Sequence, residues 1–246
     1  MGQVVDTETA QEFMKETLER VDPNELSAIC AAVEAKSSWF RETFARDAVA
    51  ELSADDWQEG LRRVFSTRGK PRQQLAALDL ADVRARVTAL LWGPGAAAAR
   101  FQQFADNLDG VSDSVSRDFA SELLHFADPE KNWLWTRWMW DPVAKTGALP
   151  LVTTAAYDLD GETSAEVYAK VGHAVAFVHE VGEAAGFQTI SRNIFGTDVF
   201  LSCVYVVYAY TVLRMRMTQE FNKVMPGLPE FCRRLLGVHE RQRPAP

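Results

Sequence analysis

The stretch VFLSCVYVVYAYTVL, residues 199–213, decides between two kinds of protein. It is a nearly unbroken apolar run, bounded by Asp198 on one side and by Arg214 and Arg216 on the other. A helix that crosses a bilayer needs roughly twenty apolar residues, and this run falls short of that. The expectation is therefore a buried central helix, over residues 197–217, in a soluble fold with no membrane partner.

Working outward, helical periods dominate. Residues 8–20 and 24–52 carry apolar side chains at helical spacing, the second run through Leu26, Ile29, Val33, Phe40 and Phe44, with Asp22 or Asn24 able to cap it. Ser53, followed by Asp55 and Asp56, has the composition of a helix start. Further helices are expected at 80–92, 96–108, 112–127, 162–185, 197–223 and 230–237. Residues 142–161 read as irregular, and no partner is evident for the extended-looking LPLVTTAAYDL. The reading is all-α: one compact multi-helix domain over 1–246, roughly eight to ten helices, with a possible subdivision into 1–141 and 142–240 and a flexible tail at 241–246.

The composition supports a packed core, with 47% hydrophobic and 24% charged residues over 246 positions. A net charge of −8 counts against nucleic acid as the main partner. Cys30, Cys203 and Cys232 are few, scattered and in no CxxC spacing, which suits buried thiols in a reducing compartment; a cytoplasmic location is expected. The first residues have neither a basic nor an apolar leader segment.

The middle of the chain carries the most specific pattern. Residues 97–107 supply a helix, Leu108-Asp109-Gly110-Val111-Ser112 a tight turn, and 115–126 a second helix. Leu124-His125-Phe126-Ala127-Asp128-Pro129-Glu130-Lys131 follows. Over residues 96–141 this resembles proteins of the helix-hairpin-helix DNA glycosylase type. In those, turn glycines let backbone N–H groups approach a phosphate at a helix N-terminus. The resemblance implies nucleic-acid binding or base excision. This chain departs from the pattern at two places: the second turn glycine is Ser112, and Thr136 stands where the catalytic aspartate is expected. Asp106, Asp109, Asp113 and Asp118 flank the turn, answered there only by Arg117.

Two other groups are candidate contact surfaces. NWLWTRWMWD, residues 132–141, holds four tryptophans that one helical face cannot absorb, so either the segment is buried on several sides or Trp133, Trp135, Arg137, Trp138 and Trp140 form a candidate binding surface. From Gly60 to Leu78 there is no acid, and Arg62, Arg63, Arg68, Lys70 and Arg72 form a candidate loop for an anion or an acidic partner. Glu122 and His125, at i, i+3, could start a carboxylate–histidine metal site, but no second such motif exists. No cofactor is expected. Asp158-Leu159-Asp160-Gly161-Glu162 lacks the closing Glu of a calcium loop. The chain therefore reads as an accessory or protein-binding protein, expected to be non-catalytic, whose partner is another protein. The alternatives are a divergent helix-hairpin-helix protein acting on nucleic acid and a helical metalloprotein.

Overall fold

A computed structural model describes residues 4–187, 190–216 and 226–239, without the side chains of 213–216. Eleven α-helices occur among the described residues: α1 Thr7–Leu18, α2 Pro23–Thr43, α3 Ala54–Arg62, α4 Lys70–Ala76, α5 Leu80–Trp92, α6 Ala97–Asp106, α7 Asp113–Ala127, α8 Leu149–Val152, α9 Ser164–Glu180, α10 Ile194–Arg216 and α11 Leu228–Leu235. The far end of the expected 197–223 helix and the 241–246 tail lie outside the described residues.

Side-chain caps fix five of the helix starts. Asp6, Asp22, Asp79 and Thr163 each accept a hydrogen bond from a first-turn N–H. Ser53 and Asp56 close a reciprocal capping box at α3. Each such cap contributes about 1 kcal/mol. The expected 24–52 helix ends earlier, at Thr43, and a separate 3₁₀ turn, Val49–Glu51, completes that stretch.

The apolar faces meet in one contiguous core. Helix α10 runs through it, packing on α1, α2, α9 and α11. Ile194–Val212 has the length and apolarity of a membrane span, with a mean hydropathy of 1.4, so the apolar helix is longer than the fifteen-residue run suggested. Some 67% of that span is nevertheless buried inside the fold, against its own neighbours.

Segment 142–161 is largely irregular, and it does find a pairing partner. Asp6 N donates to Val152 O at 2.9 Å and Thr154 N to Val4 O at 2.8 Å, so the first described residues lie along it. Two segments escape the helical period. Helix α4 was not anticipated after the Gly69-Lys70-Pro71 break; Gly69, at φ +72°, turns the chain, and Pro71 opens the new helix. The tryptophan run is not helical at all.

Candidate functional site

Helix α7 buries nearly all of its residues, including the polar ones. Asp118, Glu122 and His125 follow one another at helical spacing and are 6%, 2% and 0% exposed. Each is held by a different part of the chain. Glu122 Oε2 accepts from Lys36 Nζ of α2 at 2.7 Å. Lys36 also donates to Leu236 O at 2.9 Å and lies 3.8 Å from the Phe126 ring centroid. Burial pushes the lysine down and the carboxyl up, each toward its neutral form, while their mutual attraction works the other way.

His125 Nδ1 faces Asn132 O at 2.8 Å, and Nε2 faces Asp198 Oδ2 of α10 at 2.8 Å. A carbonyl only accepts, so Nδ1 carries a hydrogen. The His125–Asp198 contact must then share one further proton, as imidazolium with carboxylate or as imidazole with carboxylic acid. Asp118 accepts from Arg137 N at 2.9 Å and pairs with Arg137 Nε at 3.4 Å. Burial, only partly offset by Arg137, pushes Asp118 up to about 7. Glu122 and His125 are thus committed to Lys36 and Asp198. Among the described residues no group of three or more His, Cys, Asp or Glu side chains is placed to hold a metal ion.

The tryptophan run explains how four rings fit where one helical face fails. As an irregular segment it presents side chains in several directions, and Trp135, Trp138 and Trp140 are 3%, 5% and 6% exposed. Trp135 N donates to Ser121 Oγ at 2.7 Å and its indole N–H to Trp140 O at 2.9 Å. Trp133 is half-buried, its ring 5.6 Å from that of His179. Arg137 is exposed but pairs with Asp118; the cation over the Trp135 ring is Arg117, at 5.8 Å. Three of the four candidate rings therefore belong to the core.

The turn between α6 and α7 is tight, with Gly110 at φ +85° and the two helices packed together. Asp106, Asp109 and Asp113 line the hollow around it with Arg117. Asp118, expected among them, instead points inward to Arg137. In the 158–162 segment, Asp158 accepts from Lys170 at 2.7 Å and Asp160 pairs with Lys145.

The basic loop is where charge meets open surface. Thr67, fully buried, donates to Val64 O at 3.0 Å and pins the loop, and Trp57 donates to Leu75 O at 3.0 Å to anchor α4. Arg62, Lys70 and Arg72 are exposed. Arg63 pairs with Glu59 at 3.0 Å and stacks 4.6 Å above Trp39. Arg68 lies 2.8 Å from His239 Nδ1, beyond α11. Burial and the nearby Arg234 guanidinium lower its pKa. Between these groups opens a cleft of about 400 Å³, lined by Lys36, Glu59, Arg62, Arg63, Gly237 and His239 among others.

Sequence reasoning found Arg62 and Arg63 but missed Lys36, Asp198 and His239. One signal existed: Lys36 falls on the Val33–Phe40 stripe of α2, and Glu122 on the Phe119–Phe126 stripe of α7. A lysine and an acid on two apolar faces are most economically satisfied by each other. No protein-family model, curated protein or solved structure matches this chain.

Proposed function

We propose that this chain is a non-catalytic accessory protein, acting in a reducing compartment, that binds an acidic segment of another protein. The contact surface is the basic face formed by the α3–α4 loop, α4 and the end of α11. The observation that carries this reading is a division of labour among charged side chains. The acid–base residues of α7 are buried and bonded to Lys36, Asp198 and Arg137. Of the cations of the acid-free run, Arg62, Lys70 and Arg72 stand at the surface, and Arg62 and Arg63 line an open cleft. Interface energy often centres on arginine, and a basic face also steers an acidic partner into place.

A second reading is nucleic-acid binding, which the tight Gly110 turn between packed helices favours. The two separate by retention on immobilised DNA at low salt against capture of a protein from host extract. The accessory reading expects a discrete co-purifying protein, released by salt, and no DNA retention. Salt-dependent DNA retention lost with Arg68, Lys70 and Arg72 substitutions would overturn it.

A further inference from the structure

We infer that the cleft between Arg63, Lys36 and Gly237 is a binding site for a phosphate monoester, carried by a small molecule or by a side chain of the partner. This rests on the basic face being the contact surface, and it names the group that the face receives.

Charge is the first ground. Lys36, Arg62, Arg63 and Arg68 stand in or beside the cleft, against the carboxylates Glu59 and Glu122. Arg234 and Glu230, paired beside Arg68, add one charge of each sign, so five cations face three anions and leave two positive charges, which a phosphate dianion balances. Burial is the main cause that lowers the proton affinity of Lys36 and Arg68; repulsion from Arg63 beside Lys36 and from Arg234 beside Arg68 adds to it, while Glu122 works the other way on both. An anion seated among them relieves that repulsion.

The second ground is preorganisation. Arg63 is locked between Glu59 and the face of Trp39. Lys36, 1% exposed, is fixed at the floor by Glu122 and Leu236 O. Guanidinium groups held in this way can meet two phosphate oxygens at once, where a mobile lysine offers a point charge. The third ground is shape. Gly237, at φ +72°, lets the chain turn so closely over the floor that a Cβ there would lie 1.9 Å from Arg63 O and 3.0 Å from Lys36 Nζ. The cleft volume of about 400 Å³ admits a phosphorylated side chain or a sugar phosphate.

The test is an NMR titration of the full-length protein at low ionic strength and about pH 7.5, where a phosphate monoester is mainly dianionic. Inorganic phosphate, glucose 6-phosphate and an acidic phosphoserine peptide are the probes, with chloride at matched ionic strength as control. Saturable shifts at the Gly237 amide and Arg63 Nε are expected, with a dissociation constant of about 1 mM or tighter for at least one probe. Arg63→Gln should weaken binding tenfold or more. Should Arg63→Gln disturb the fold, Arg62→Gln, on an exposed side chain, carries the same test, and Lys15→Gln, exposed on α1 and away from the basic face, should leave the titration unchanged. Tightest binding of the peptide assigns the phosphate to a protein partner. Tightest binding of the sugar phosphate assigns the phosphate to a small molecule and leaves the protein contact to the capture experiment. No saturable shift with any probe, or shifts unchanged in both arginine variants, overturns the site and leaves partner capture as a separate question.

Discussion

Lys36 and Glu122 stand 86 residues apart in the chain and 2.7 Å apart in space, both side chains almost wholly out of water. They join α2 to α7, and the Lys36 bond to Leu236 O ties the end of α11 to the same point. Removing one partner strands a buried charge, at a cost of about 3–5 kcal/mol, whereas replacing both with apolar groups is often nearly neutral. Lys36→Met should therefore lower unfolding free energy by about that amount, and Lys36→Met with Glu122→Leu should recover most of it. Denaturant unfolding with an unchanged m-value is the measurement; equal losses in the single and double variants would contradict the pairing.

Asp118 sets a pH dependence of defined sign. Its folded pKa is raised to about 7 from an ordinary 3.8, so the folded state holds a proton that the unfolded state has released. Its contribution to stability is therefore fully present below the unfolded pKa and declines as pH rises from about 4 to about 7. The slope from one such group is at most about 1.4 kcal/mol per pH unit. Asp118→Asn keeps an acceptor for Arg137 N and removes the titration. The wild-type protein should lose stability relative to this variant across that window, and parallel profiles would contradict the assignment.

The shared proton between His125 and Asp198 predicts a contrast between two substitutions. Asp198→Asn leaves a side chain that can still bond Nε2 and should change stability by less than about 1 kcal/mol. Asp198→Ala leaves the buried Nε2 unpaired and should cost about 1–3 kcal/mol. Similar losses in both would show that the carboxylate charge matters more than the bond.

Burial of the tryptophan run makes it a stability element. Trp135→Ala and Trp138→Ala should each cost about 3–5 kcal/mol, the usual range for emptying a core ring site. Trp133→Ala, at a half-buried position, should cost less. Native indole emission blue-shifted by an apolar environment, and lost on unfolding, checks the placement independently.

How far the sequence was legible follows the range of the interactions. Helix α5 was readable to its last residue because Asp79 and Gly93 are local signals, and α7 because its apolar stripe is regular. The tryptophan run was legible as composition but not as placement: three of its rings are buried, on several sides, because the segment is not helical. The segment is fixed instead by contacts such as Ser121 to Trp135 and Asp118 to Arg137, which no period announces. The basic loop was legible as composition. Its cleft was not, because Lys36 and Gly237 reach it from opposite ends of the chain.

The contact surface is tested most directly by capture of a partner from host extract, comparing the wild-type protein with a variant carrying Arg62→Gln, Lys70→Gln and Arg72→Gln. All three side chains are exposed, and each of these surface changes should cost within about 0.5 kcal/mol, so folding should be preserved. Binding through the basic face predicts a captured protein whose yield falls at least tenfold in the variant and on raising salt. Undiminished capture by a folded variant would contradict it.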